Sequence, residues 1–384
     1  GLTVFRDQCF SGDMNSQAVQ RIDDVRALRA FQFPEDSGPM AHPIRPSSFV
    51  KIDNFYTATV YNKGAEVIRM MHTLLGEDGF RKGTDNYFAR FDGQAVTTED
   101  FVGAMETAND VDFTQFKNWY NQAGTPLVKA KGRYDGAQKT YSLTLSQSCP
   151  PTAGQEEKLP FVLPVRMGLL DSSGNDMALA LEGEALDADL TTRVLVLREE
   201  EQTFVFHGVP EKPVPSLFRH FSAPIKLDAE YTIEQLQFLL ANDSDFFNRW
   251  DAGQKLARNV LLSLVEQSQK DGPLAIEPSV ISAYGQLLAN TQLDVALVAE
   301  TWILPSESEI GHAMEVVDVE GIKIARDFMK KTLAAAHEKL LVSTYNRLQN
   351  ADTYQITPEA MAARKLSNVC MDYLSTLETE AHTE

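Results

Sequence analysis

Two tyrosines five residues apart, Tyr56 and Tyr61, are the residues of this chain best suited to chemistry. A phenol has a reference pKa of about 10, so at neutral pH it remains a hydrogen-bond donor. At the opening of a rigid helix such a hydroxyl can point into a cleft and donate to an oxyanion as the charge develops. From Val60 onward the apolar positions Val60, Gly64, Val67, Ile68, Met71, Leu74 and Leu75 repeat as one face of a helix packed on a core. Tyr61 lies about 100° around from Val60, at the rim of that stripe. Thr59 is the expected N-cap of this helix. Taken alone, a tyrosine so placed is more often a half-buried packing residue.

Composition narrows the classes of function. The 384 residues carry 35 Lys and Arg against 54 Asp and Glu, a formal net charge of −19. A phosphate backbone wants a basic face, so nucleic acid is not an expected partner. The acidic balance serves solubility and favours a cationic substrate terminus. No apolar run approaches the ~18 residues of a membrane span, so no membrane partner is expected. Cys9, Cys149 and Cys370 are widely spaced and include no Cys-x-x-Cys, which fits reduced thiols in a cytoplasm better than a disulfide framework or a zinc ribbon. A chain of this length should hold two or three domains.

The patterning that must position the tyrosines changes twice along the chain. Residues 1–124 read as helices with one long loop. Val19, Ile22, Val25 and Leu28 suit a helix ending before Pro34, and Glu35 to Pro46, with Gly38 and three prolines, reads as loop. A helix is expected from Glu99 to Thr107 with Thr97 or Thr98 at its start. Phe113, Phe116, Trp119 and Tyr120 mark a last helix, with Gly124 as its left-handed cap and Pro126 preventing continuation. Over 125–226 the period becomes two. Tyr141, Leu143 and Leu145 after the Asp135-Gly136 turn, then Phe161–Leu170, Arg193–Leu197 and Gln202–Phe206, predict a small β-sandwich. Glu199-Glu200-Glu201 reads as a solvated hairpin tip. Residues 227–384 are helical, with Leu256, Val260, Leu261 and Leu264 on one stripe. Thr357-Pro358 opens a helix that carries Leu366, Val369, Cys370, Tyr373, Leu374 and Leu377 on one face, which makes Cys370 a core thiol. Stacked helical hairpins would give a solenoid-like array.

Several separated segments occur together and in order. They are Gly1-Leu2-Thr3-Val4-Phe5-Arg6-Asp7-Gln8, Gly38-Pro39-Met40-Ala41-His42-Pro43-Ile44-Arg45-Pro46, Asn54-Phe55-Tyr56, and the run from Val60-Tyr61-Asn62-Lys63-Gly64 to Met70. Gly124-Thr125-Pro126, Arg249-Trp250-Asp251-Ala252 and Asn368-Val369-Cys370 follow. With them the chain resembles the aminopeptidase N family of zinc metallopeptidases (gluzincins), most closely its bacterial branch, from Gly1 to Glu384. The resemblance implies a multidomain α+β protein. Residues 1–124 would be the C-terminal helical part of a thermolysin-like catalytic domain, 125–226 a β-sandwich domain, and 227–384 part of a C-terminal α-helical domain. It implies a zinc-dependent enzyme that removes N-terminal residues from peptides with a free N-terminus. In that enzyme Tyr61 stabilises the tetrahedral intermediate and Tyr56 lines the pocket for the first side chain. Asp7 either orients a zinc-binding imidazole from behind or is a helix carboxylate paired with Arg6 or another base. His42 and Arg45 either border the substrate site or make structural hydrogen bonds.

Such an enzyme needs His-Glu-x-x-His and a further Glu to hold and use Zn2+. The nearest approach here is His337-Glu338-Lys339-Leu340-Leu341, with Leu341 where the second His is required, and it reads as helix surface. The resemblance therefore implies metal ligands upstream of Gly1, the third-ligand Glu immediately before it. No metal is expected on this chain alone, the isolated chain is expected to be inactive, and the upstream part of the same protein is its expected partner. The helical domain is expected to continue past Glu384, leaving exposed apolar surface over 314–384. Two departures from the family pattern are Asn62 and Cys9, each where relatives commonly show Glu. The alternatives are a non-catalytic helical scaffold or binding module, or an inactive remnant.

Overall fold

The computed structural model describes residues 1–270, 272–349 and 354–377. They pack as two units, Gly1–Cys9 with Asp24–Glu230 and Phe10–Asp23 with Tyr231–Glu384. The chain opens with helices α1 (Leu2–Met14) and α2 (Gln17–Ala27). The helical path does not stop at Pro34. A wide, π-type turn over Leu28–Gln32, in which the Phe33 N–H reaches the Leu28 carbonyl, leads into α3 (Phe33–Ser37). Pro34 falls in the first turn of α3, where a missing N–H costs little because such groups have no intrahelical acceptor. The loop accordingly begins at Gly38, not Glu35, and both Glu35 and Asp36 are carried on a helix.

A second wide turn, Thr59–Lys63, opens α4 (Gly64–Phe91), with the Gly64 N–H donating to the Thr59 carbonyl. The expected stripe is present, but the first turns of α4 are buried nearly all round, including Lys63, Ala65, Glu66, Val67, Ile68, Met70 and Met71. Helix α5 (Thr98–Asn109) starts with a capping box: Thr97 Oγ1 accepts the Asp100 N–H, and the Asp100 carboxylate accepts the Thr97 N–H. The aromatic segment after it is a 3₁₀ turn, Gln115–Lys117, and a short α6 (Asn118–Asn121), not one helix. Gly124 lies beyond the end of α6 and does not cap it. Its φ is +96°, and a Cβ there would come 2.8 Å from Cys149 Sγ.

Among the described residues eight strands follow: β1 (Leu127–Asp135), β2 (Thr140–Ser148), β3 (Leu163–Leu170), β4 (Ala180–Leu181), β5 (Arg193–Leu197), β6 (Glu201–His207), β7 (Val214–Leu217) and β8 (Lys226–Asp228). They form a five-stranded sheet, β4-β6-β2-β1-β8, and a three-stranded one, β5-β3-β7. β1 pairs antiparallel with β2, Tyr134 opposite Tyr141, and parallel with β8. β7 contains Pro215 and is an edge strand, the place where a proline interrupts no central ladder. Glu199 and Glu200 are exposed, yet they join β5 of one sheet to β6 of the other, so they form a crossover and not a hairpin tip. Alternating residues Tyr141, Leu143 and Leu145 face inward and share one apolar core with Val165, Met167, Phe116 and Trp119. The Trp119 ring lies 4.3 Å from that of Phe161, tilted by 38°, and its Nε1 donates to the Val162 carbonyl at 3.0 Å.

The second unit holds α7 (Ile233–Asn242), α8 (Phe246–Gln269), α9 (Pro278–Ala289), α10 (Val295–Trp302), α11 (Glu307–Gly311), α12 (Val319–Leu348) and α13 (Pro358–Leu374). Thr357 Oγ1 accepts the Ala360 N–H, capping α13 with Pro358 at its first position. Cys370 is buried, and burial pushes its thiol up to about 11, so it is a core residue. His337 is not plain helix surface. It is half-buried beside Trp302, and its Nε2 lies 2.8 Å from the Ile281 carbonyl, which can only accept. Over 314–377 the apolar side chains Val316, Val317, Val319, Tyr354, Ile356 and Met371 are exposed. Residues 350–353 and 378–384 of the segment expected to be apolar lie outside the described residues. No described helix is long and apolar enough to cross a membrane.

Candidate functional site

Tyr56 and Tyr61 meet. Their rings stack with centroids 5.9 Å apart and planes at 26°. Together with Ala27, Phe31, Thr57, Ala58 and Asn62 they line an open recess of about 460 Å³. The two wide turns supply its walls, Phe31 from the first and Tyr61 with Asn62 from the second. Tyr56 is 69% exposed and Tyr61 42%, so both phenols are accessible to a molecule in the recess. Asp7 is exposed on α1 and does not line it.

The backbone around Tyr61 is held from three sides. First, Thr57 and not Thr59 caps the helix. Thr57 Oγ1 accepts the Val60 N–H at 3.2 Å, and the Thr57 carbonyl accepts the Tyr61 N–H at 3.1 Å. His42 braces that cap with Nε2 2.9 Å from Thr57 Oγ1 and Nδ1 2.8 Å from the Met40 carbonyl. A carbonyl only accepts, so Nδ1 carries hydrogen and the Thr57 hydroxyl can donate to Nε2. Arg45 instead ties the loop to α5 and α6 through Glu99 and Asn121.

Second, Thr59 is fully buried. Its N–H and hydroxyl both donate to Glu35 Oε1, at 2.8 and 2.6 Å, and Gln32 Nε2 donates to its Oγ1 at 3.2 Å. Third, Lys63 and Asp36 form a fully buried ion pair with Nζ 2.7 Å from Oδ2. Lys63 Nζ also donates to the Gly124 carbonyl at 2.9 Å and lies 5.9 Å from the centre of the Trp119 ring. Asp36 accepts the Gly124 N–H at 2.7 Å and the Thr125 hydroxyl at 3.0 Å. Burying two charges is costly unless their remaining donors and acceptors are used, and here they are. Burial pushes the Asp36 carboxyl up, but the Lys63 charge and the bonds from Lys63, Gly124 and Gln32 together outweigh it and hold the group below its usual range.

Glu35, Asp36, Gln32, Thr57 and Lys63 were not singled out by sequence reasoning. One signal was present. Lys63 sits within the apolar stretch from Val60 to Val67, and a lysine in a core-facing run demands a buried acid. Lys63 is paired with Asp36 and not with its neighbour at 62, so Asn62 leaves that pairing intact.

A second close approach places α1. Gly1 and Gly64 are in backbone contact, and a Cβ on Gly1 would fall 2.7 Å from the Gly64 carbonyl. The start of α1 therefore lies against the turn that carries Tyr61. Among the described residues no group of three or more His, Cys, Asp or Glu is gathered to hold a metal ion. The chemistry the recess offers is hydrogen-bond donation by two accessible phenols beside an apolar wall.

The arrangement matches known proteins section by section. Residues 1–120 match the peptidase family M1 domain, 124–230 a domain of unknown function with an Ig-like fold, and 233–384 its companion of ARM repeats. Helices, a sandwich and a helical array in this order are what these three matches describe, with the family M1 domain first. Along nearly its whole length the chain is similar to bacterial aminopeptidase N. It is 44% identical to the Haemophilus influenzae protein over 98% of this chain, and 43% identical to that of Escherichia coli over 99%. The chain spans 42% and 43% of the length of these two relatives. The solved structure of Legionella pneumophila aminopeptidase A in complex with aspartic acid covers all of it with a TM-score of 0.82 at 25% identity, and the chain covers 42% of that protein.

Proposed function

We propose that this chain is the part of a zinc-dependent aminopeptidase that supplies the hydrogen-bond donor to the oxyanion formed at the scissile carbonyl. The observation that carries the reading is the Tyr61 phenol, accessible in a recess yet mounted on a turn braced on three sides. A fixed donor that needs no reorganisation as charge develops is the most effective kind. Tyr56, stacked on Tyr61 and facing the same recess, contacts the first side chain of a peptide with a free N-terminus. The recess wall of Phe31, Ala27 and Ala58 suits an apolar group there.

Asp7, exposed on the helix whose start abuts Gly64, is assigned to orienting a metal-binding imidazole of the neighbouring portion. The zinc ligands belong to that portion, upstream of Gly1, which is also the partner against which this chain would function. Division into 1–124, 125–226 and 227–384 as domains of that enzyme is part of the same reading. Free thiols at Cys9, Cys149 and Cys370 support a cytoplasmic setting.

The test compares this chain with the full-length protein by elemental analysis and an aminoacyl-anilide assay. Full-length protein is expected to hold zinc and turn over substrate, and the chain by itself to do neither. Stoichiometric zinc with turnover in the isolated chain would place the active site elsewhere.

A further inference from the structure

Among the described residues the Tyr61 side chain is met by the stacked Tyr56 ring, which leaves its hydroxyl facing the recess. Where that ring stands is set by the backbone of the wide turn Thr59–Lys63. Such turns are rare and are seldom self-supporting, because they trade good α-helical bonds for longer ones. Here both ends of the turn are anchored, two residues before Tyr61 and two residues after it. Thr59 is bound to Glu35, and Lys63 to Asp36, adjacent residues on the single short helix α3. Gln32, from the first wide turn, donates to Thr59 Oγ1 and so braces the same anchor from a second side. Its own Oε1 is buried without a partner, a cost that an amide serving only as filler would not be expected to carry. The two wide turns pack against each other, so the anchors also fix the distance from Tyr61 to Phe31 across the recess.

We infer that Glu35, Gln32 and Thr59, with the Asp36–Lys63 pair, are positioning residues that aim the Tyr61 hydroxyl. This rests on the role proposed for Tyr61 above. An error of about 1 Å in the placement of a catalytic group can cost ~100-fold in rate, so an anchor two residues away can govern turnover without touching substrate.

The experiment is a double-mutant cycle in the full-length protein. Thr59→Val removes the hydroxyl at nearly constant volume, and Thr59→Ser keeps it. Thr59→Val is expected to lower kcat about 10-fold or more with little change in KM. Thr59→Ser is expected to restore kcat to within about twofold of wild type. On a Tyr61→Phe background Thr59→Val should change kcat by less than about twofold, because the donor it aims is gone. An unchanged kcat in Thr59→Val, or an equal fold loss with and without the Tyr61 hydroxyl, overturns the positioning role and leaves the assignment of Tyr61 standing. A Tyr61→Phe enzyme with wild-type kcat overturns both. Glu35 is only partly buried, so Glu35→Ala takes the place of Thr59→Val in the same cycle should that variant not fold. A kcat loss that vanishes on the Tyr61→Phe background again supports the positioning role, and an unchanged kcat or an equal loss on both backgrounds again overturns it.

Discussion

The role proposed for Tyr61 asks for one proton held at one place, and its surroundings hold the backbone while leaving the phenol accessible. Tyr56 differs in kind, because it offers surface. With its ring stacked on Tyr61 and its other face exposed, it should contribute ground-state contact more than transition-state stabilisation. Tyr56→Ala in the full-length enzyme is therefore expected to raise KM about 5-fold, the equivalent of ~1 kcal/mol of partial apolar burial, with kcat changed less. Steady-state kinetics on an aminoacyl anilide would read this directly, and a loss confined to kcat would contradict it. The two tyrosines were legible in the sequence because their spacing and the apolar stripe behind them are local patterns. Asp36 and Lys63 were not, because charged residues 27 positions apart announce no partnership until the fold closes.

Among the elements, the buried Asp36–Lys63 pair links α3, the opening of α4 and the segment leading into β1. Asp36→Ala would leave Lys63 uncompensated in the core, and a broken buried pair typically costs ~3–5 kcal/mol. Urea unfolding should show that loss, with Asp36→Ala and Lys63→Ala far from additive. The pair also carries a pH signature. The Asp36 carboxyl is depressed when folded, so its contribution is fully present above the ordinary Asp value of 3.8 and is lost as pH falls through the folded pKa. Stability of the wild-type chain is expected to fall below about pH 4 more steeply than that of a doubly substituted Asp36→Leu, Lys63→Met chain. Equal slopes would remove Asp36 from the account. Gly124 is a second element-scale constraint. Its φ of +96° and the nearness of Cys149 should make Gly124→Ala destabilising by ~1–2 kcal/mol or more.

Elements with a local signal were read closely. β5 spans Arg193–Leu197 as its alternation predicts, and Thr97 and Thr357 cap the helices they precede. The misreadings have physical causes. Pro34 reads as a helix stop, but the wide turn before it shifts the register so that the proline opens a new segment. β8 has three residues and pairs parallel with a strand a hundred positions earlier, a contact that no local pattern encodes.

For the molecule as a whole, a peptidase M1 section, an Ig-like sandwich and a helical array follow in one chain that spans 42% of its Haemophilus influenzae relative. In the proposed reading the site is one wall of an active centre, a donor beside an apolar recess. Exposed Val316, Val317, Val319 and Ile356 should make the chain prone to association, and light scattering at rising salt should show particles growing. A constant monomer mass would argue against that. The most direct measurement of the central claim is turnover by full-length Tyr61→Phe protein, with zinc content and unfolding measured in parallel. Loss of one oxyanion donor costs ~2.7–4 kcal/mol, so kcat is expected to fall about 10²–10³-fold while zinc and stability stay at wild-type levels. Wild-type kcat in that variant would contradict the account.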